Sequence, residues 1–174
     1  AGLITNNTFS GNGQAPINIH PNAAGSVSGN SGFANGQDVI RIYGGELTVD
    51  SIWTKQDFPF VITGDITVFR SDWSYHNDPV SVTLTIEPGV QVLFDSGHLE
   101  IRGTLIAAGA ATDPIVFASS SGSPALGDWT GIRFVGADAD GSVLAYCRIE
   151  HATRGVWCED SSPEIGHCTI VGEH

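Results

Sequence analysis

The chain has 174 residues, with 19 acidic and 7 basic side chains and a formal net charge of −12; Lys55 is its single lysine. This charge disfavours binding to nucleic acid or to an anionic membrane surface and permits the binding of cations. The length suits one domain with a sizeable core. No apolar run is long enough to cross a bilayer, so we expect no membrane insertion.

The first predicted elements are short strands in an N-terminal repeat array over about residues 1–45. One motif occurs twice, and each position recurs 23 residues later: Ile4/Val27, Asn7/Asn30, Asn12/Asn35, Gly13/Gly36, Ile17/Ile40 and Ile19/Ile42. The alternation of Ile17 and Ile19 with polar residues predicts a strand with one inward face, and the Gly and Asn clusters predict tight turns. A repeat of this length predicts a solenoid.

A less regular segment follows over about residues 46–83. It contains a polar stretch that carries Trp73 and Tyr75. Exposed aromatic rings in such a stretch can stack on sugar rings or anchor a protein contact, so both residues are candidates for ligand stacking. The alternative is that this stretch folds back and covers one flank of the core.

A second repeat array covers about residues 84–174, where one motif recurs 21 positions later: Leu144/Ile165, Cys147/Cys168 and Ile149/Ile170. No linker-like composition separates the arrays, so we predict one continuous domain over residues 1–174. With about 22 residues in each coil, the chain has room for roughly seven or eight coils with little or no helix.

One repeat position is held by Asn7 and Asn30 in the first array and by Cys147 and Cys168 in the second. An inward Asn at a bend can bond backbone groups that the turn leaves unpaired, and it can bond the Asn of the next coil. Cys at this position acts as a small hydrophobe. We interpret these four residues as a structural ladder, with free thiols in preference to a disulfide between coils. Cys158 is predicted to lie in the core as well.

A family resemblance rests on the run Leu84-Thr-Ile-Glu-Pro-Gly-Val-Gln-Val-Leu-Phe94 and on the segments that follow it at 99–109, 113–117 and 129–134. These segments resemble the bacterial and archaeal right-handed parallel β-helix repeat proteins of the pectate-lyase-like superfamily. The resemblance implies an all-β fold, a right-handed single-stranded parallel β-helix. The superfamily includes lyases, hydrolases, adhesins and surface layers, so the resemblance alone gives no function.

The best candidate for a metal site is the pair Asp138 and Asp140, because two carboxylates followed by a glycine can wrap a calcium ion. The alternative is an ordinary solvated turn. The full twelve-residue calcium loop is absent from the sequence, so no cofactor is required and calcium is the one candidate.

The catalytic motifs of the family's pectate lyases and polygalacturonases do not occur in this sequence. We therefore transfer no catalytic residue from the family, which leaves enzymatic activity open and favours a non-enzymatic role. Five polar residues could still come together near one edge of the last coils and carry out acid–base chemistry: Glu150, His151, Arg154, Glu159 and Asp160. The alternative is that they are ordinary solvated surface residues.

The two ends of the chain share one frame, since Ile165-x-x-Cys168-x-Ile170 has the spacing of Ile4-x-x-Asn7-x-Phe9. Neither end resembles a cap, and the sequence contains no Met, so we expect a processed chain or a piece of a longer one. An uncapped coil is a template for further strands. The predicted assembly interface consists of Leu3, Ile4, Phe9, Ile165 and Ile170.

These observations favour a structural module of an extracellular or cell-surface protein. Its partner would be a second copy, stacked head to tail into a filament, or the rest of a longer β-helix stalk. The alternative hypothesis is a β-helix that binds or degrades polysaccharide along a lateral groove, assisted by calcium.

Overall fold

The computed structural model describes residues 3–69 and 81–172. Helix is limited in these residues to the four-residue α1 (Pro21–Ala24) and a 3-10 helix (Ala137–Ala139). The predicted ligand-stacking residues Trp73 and Tyr75 lie outside the described residues. No helix of the described part is long and apolar enough to span a bilayer.

The rest of the regular structure is strand. In chain order the strands are β1 (Ile4–Thr5), β2 (Thr8–Ser10), β3 (Ile17–Ile19), β4 (Val27–Ser28), β5 (Ser31–Phe33), β6 (Ile40–Ile42), β7 (Gly45–Leu47), β8 (Ser51–Trp53), β9 (Phe60–Thr63), β10 (Ile66–Val68), β11 (Thr83–Ile86), β12 (Gln91–Ser96), β13 (His98–Ile101), β14 (Thr104–Ala108), β15 (Ile115–Ser119), β16 (Gly131–Val135), β17 (Val143–Ala145), β18 (Cys147–Glu150), β19 (Val156–Glu159), β20 (Glu164–Gly166) and β21 (Thr169–Val171).

The strands form long parallel stacks. The first sheet has seven strands in the order β3-β6-β9-β12-β15-β18-β21. The second sheet has the order β7-β10-β13-β16-β19, and the third has β8-β11-β14-β17-β20. Two small sheets pair β1 with β4 and β2 with β5. From β7 onward the chain visits the second, third and first sheets in turn, and this rotation is consistent with a parallel β-helix. We call each such set of three consecutive strands a layer, beginning with β1–β3 and β4–β6.

The predicted repeat offsets are the strand registers. Ile4 pairs with Val27, and Ile17 pairs with Ile40, at the offset of 23. Leu144 pairs with Ile165 at the offset of 21, and Ile149 pairs with Ile170 at the same offset. The repeat is visible in the sequence because equivalent residues of adjacent layers lie side by side and share one environment.

The core lies between the sheets and consists of the inward side chain of each strand. Large aromatic residues fill it, and Trp53, Phe60, Phe94 and Trp129 are all at most 1% exposed. Phe94 and Trp129 stack with ring centroids 4.0 Å apart. Full burial of one such side chain stabilises the fold by about 1.5–3 kcal/mol, so stacking of layers, and not local hydrogen bonding, holds these short strands together.

Candidate assembly surface and lateral charged cluster

A sharp bend precedes the predicted ladder position in both repeat arrays. Asn6 (φ 57°) and Gly29 (φ 63°) precede the ladder residues of the first array, and Tyr146 (φ 49°) and His167 (φ 55°) precede those of the second. A left-handed residue turns the chain within one step, and it leaves nearby backbone groups without strand partners. Tyr146 and His167 stack across adjacent layers with ring centroids 4.8 Å apart.

Side chains at the ladder position bind the backbone groups at this bend. The Asn7 backbone N–H donates to Asn30 Oδ1 at 3.0 Å, and Asn7 Nδ2 donates to the same oxygen at 3.0 Å. Asn30 Nδ2 donates in turn to the carbonyl of Ile4 at 2.7 Å. Ile4 is the first residue of β1 and lies three residues before Asn7, so the Asn30 amide binds a strand carbonyl of the layer before its own.

The same connection recurs in the cysteine layers. Cys147 Sγ donates to the carbonyl of Ala107 at 3.3 Å, and Cys168 Sγ donates to the carbonyl of Leu144 at 3.4 Å. Both thiols are free. Burial, together with the adjacent Cys168 thiol, raises the pKa of Cys147 to about 12, which keeps this thiol protonated and able to donate.

The ladder has one further member, Gln56, which the sequence analysis did not identify. We call the ladder residues of successive layers the ladder column. Gln56 Nε2 donates to the carbonyl of Val27 at 3.1 Å, and Asn30 Nδ2 also approaches Gln56 Oε1 at 3.4 Å. The spacing Trp53-x-x-Gln56 matches Val27-x-x-Asn30 and could have identified it. The next two layers have Gly89 and Ala110 at this position by strand register, so they offer no side-chain donor.

The last described layer leaves its inward side chains uncovered. Ile165 is 42% exposed and Ile170 is 48% exposed, whereas their register partners Leu144 and Ile149 are at most 1% exposed. We call this the C-terminal end surface: Val156, Cys158, Ile165, Cys168 and Ile170. These residues point inward but have no further strand above them in the described part of the chain.

The prediction that Cys158 lies in the core is wrong, because Cys158 is exposed. Its register partner is the fully buried Phe134, so the inward position itself was assigned correctly. β19 is the edge strand of the second sheet, and no further strand of the described part covers the outer side of Cys158.

The opposite end also presents apolar side chains. Leu3 is 75% exposed, whereas Ile4 and Phe9 are partly buried and pack against the core. We call this the N-terminal end surface: Leu3, Ile4 and Phe9. The five residues of the predicted interface therefore lie on the two end surfaces, which face opposite directions along the stack.

The predicted calcium ligands occupy the 3-10 helix and its end. Asp140 Oδ1 accepts the backbone N–H of Ser162 at 2.7 Å, so this carboxylate already links two layers. Among the described residues, no group of three or more His, Cys, Asp or Glu side chains lies close enough to hold a metal ion.

A cluster of charges covers the outer face of the second sheet. Glu100 is 7% exposed; its carboxylate binds Arg102 Nε at 2.5 Å and Arg133 Nη1 at 2.7 Å. Arg133 Nε extends the cluster to Glu159 Oε1 at 3.1 Å. Burial by itself raises the pKa of Glu100, but hydrogen bonding and charge from Arg102 and Arg133 outweigh it and lower the pKa overall. The cluster, which we call the lateral cluster, ties β13, β16 and β19 together.

Trp157 borders the lateral cluster on β19 and is partly exposed. Its Nε1 donates to Glu159 Oε1 at 3.2 Å, and the Arg154 guanidinium lies 5.8 Å from the ring centroid. Arg154 and Glu159 thus meet at this ring, as two members of the predicted polar group. A third member, Glu150, instead pairs with Arg148 at 2.5 Å.

Comparison of the chain with protein-family models, with curated proteins and with solved structures gives no match. The pectate-lyase-like superfamily therefore remains a resemblance of sequence, and the function has to be argued from the geometry of this chain.

Proposed function

We propose that this chain is a structural module of an extracellular or cell-surface protein, built as a right-handed single-stranded parallel β-helix of about seven coils. Its end surfaces bind further layers of parallel strands, supplied by a second copy or by more β-helix. The seven-stranded first sheet supports the coil number. The product would be a filament or a stalk, whose role is mechanical and needs no catalytic residue.

The observation that carries this proposal is the exposure of Ile165 and Ile170 at positions that are buried one layer earlier. Covering the exposed half of each side chain would stabilise an added layer by about 1 kcal/mol per residue. The edge strands β19, β20 and β21 also offer backbone donors and acceptors to a parallel partner.

The test measures self-association by light scattering over a range of protein concentrations, followed by electron microscopy. Unmodified protein should form rods with an axial repeat of about 34 Å, which is seven layers at the usual strand spacing. Because the chain carries a net charge of −12, assembly should strengthen as salt screens the repulsion between copies.

A matched pair of variants distinguishes binding through the C-terminal end surface from nonspecific hydrophobic association. Ile170→Gln removes an apolar side chain from the C-terminal end surface, and Ile52→Gln removes one that is 53% exposed on the outer face of β8. We expect Ile170→Gln to weaken assembly and Ile52→Gln to leave it unchanged. Equal effects of both, or a monomer at every concentration and salt, would refute end-to-end stacking.

Polysaccharide binding on the lateral face is a second candidate, because Trp157 is partly exposed beside a guanidinium and a carboxylate. An indole face stacks on sugar rings, and the neighbouring charges can bond hydroxyl groups. Binding to a panel of neutral and uronate polysaccharides should then be lost in Trp157→Ala. A chelator, together with Asp138→Asn, tests whether calcium contributes.

A further inference from the structure

We propose that the partner of the C-terminal end surface is the N-terminal end surface of a second copy, held in register by Asn7, whose amide donates to the carbonyl of Ile165. This inference rests on the proposed function and specifies its contact. The two copies would share one ladder column, one bend and one strand direction.

The first argument is the regularity of the ladder column. Each bond in this column joins two adjacent layers. The donor is the ladder side chain of the later layer, and the acceptor is the carbonyl that lies three residues before the ladder position of the earlier layer. Four such bonds are present: Asn30 to Ile4, Gln56 to Val27, Cys147 to Ala107 and Cys168 to Leu144. Four repetitions with three residue types indicate that the bend geometry, and not one particular side chain, creates this acceptor.

The same rule identifies the next acceptor and the next donor. Ile165 lies three residues before Cys168 on the edge strand β20, so its carbonyl is the acceptor for a following layer. Asn7 is the ladder residue of the first described layer. Its amide donates to the carbonyl of Thr5 in its own layer at 3.1 Å as well as to Asn30. In the assembly, the Asn7 amide would donate to the Ile165 carbonyl of the neighbouring copy instead of to the Thr5 carbonyl of its own chain. This new bond would be equivalent to the bond from Asn30 to Ile4.

The second argument is the match of the two backbones. Ile4-x-x-Asn7 and Ile165-x-x-Cys168 have the same spacing, and the residue before each ladder position is left-handed, with φ 57° at Asn6 and φ 55° at His167. The chain therefore bends at the same place on both end surfaces. In this register Ile4, which already packs partly against its own core, covers Ile165, which is 42% exposed.

Strand direction excludes the symmetric arrangement. The paired strands run parallel, so a second copy that adds a parallel layer on β20 must do so with its N-terminal end. Two C-terminal end surfaces facing each other would place their strands in opposite directions and would break the ladder. A head-to-tail contact of this kind does not close on itself and produces an open filament.

The register is tested by crosslinking. The variant Asn7→Cys places a cysteine opposite Cys168 of the neighbouring copy. Cysteine suits this position because the ladder already has it in two layers, as Cys147 and Cys168. A short bismaleimide should join residue 7 to Cys168 between copies, as located by mass spectrometry. Asn18→Cys is the control, because Asn18 lies on the outer face of β3 in the same layer and, within the described part of the chain, bonds the Ala15 carbonyl alone.

A second variant measures the ladder bond itself. Asn7→Ala should weaken association by at most about fivefold, because the bond to Ile165 replaces a bond to Thr5, whereas Asn18→Ala should leave it unchanged. If rods form but the crosslinks join other positions, such as Cys168 to Cys168 or residue 18 to Cys168, the register is refuted and the proposed function stands. If the unmodified protein does not associate at all, end-to-end stacking of copies and this register both fail.

Discussion

The carboxylate of Glu100 should be one of the main polar contributors to the stability of this chain. It is 7% exposed and accepts hydrogen bonds from Arg102 at 2.5 Å and Arg133 at 2.7 Å. Glu100→Gln keeps the shape of the side chain but removes its charge. Hydrogen bonds to charged groups contribute about 1.5–3 kcal/mol each, and the partly exposed arginines reduce this by solvent screening. We therefore expect the free energy of unfolding to fall by about 2 kcal/mol.

Urea unfolding followed by circular dichroism measures this loss. The control is Glu46→Gln, because Glu46 is exposed and occupies the same outward row of the second sheet by register, through Thr67. It should change stability by less than about 0.5 kcal/mol. If the two variants lose the same amount, the lateral cluster is a solvated surface feature and the reasoning is wrong.

The same contact predicts a dependence on pH. The pKa of Glu100 is lowered in the folded chain from an ordinary value of 4.5. The contribution of the carboxylate is therefore complete above the unfolded value and is lost as the pH falls through the folded value. The stability difference between the unmodified protein and Glu100→Gln should be constant from pH 7 down to about 5 and should shrink at lower pH. A difference that persists unchanged at pH 2 would contradict the ionic origin.

The remaining predictions concern the backbone, the core and the thiols. Gly131→Ala should destabilise the chain by more than about 2 kcal/mol in the same urea assay, because φ is 127° and a Cβ would meet the backbone of the adjacent layer. Gly13→Ala is the control and should be tolerated, because the space around Gly13 is open. Phe94→Ala should cost about 3–5 kcal/mol in that assay, and a loss below 1 kcal/mol would refute its place in the core. In dilute, unassembled protein at pH 8, iodoacetamide should modify Cys158 first and Cys147 last, since Cys158 is exposed there and burial raises the pKa of Cys147 to about 12. Timed mass spectrometry would reveal the order. The opposite order would contradict this burial.

The sequence identified the strand registers within the two repeat arrays, where one motif recurs at a fixed offset. The offset of 23 between Ile17 and Ile40 is visible because both layers contain the same turns. The contact between Glu100 and Arg133 was not predictable in this way. Their register offset is 33 residues, and offsets from 20 to 37 residues coexist among the described strands because surface turns differ in length without disturbing the core.

The amino-acid sequence by itself determined the all-β character and the parallel stacking implied by a repeat in the low twenties, and it identified the repeat position that the four predicted ladder residues share. These are local properties, because alternation and turn composition act within a few residues. Only the tertiary structure decided which inward positions are buried. Ile149 and Ile170 occupy the same position in the repeat, but one has a strand on both sides and the other has a strand on one side only. Burial depends on the neighbouring layers, and no single repeat carries that information.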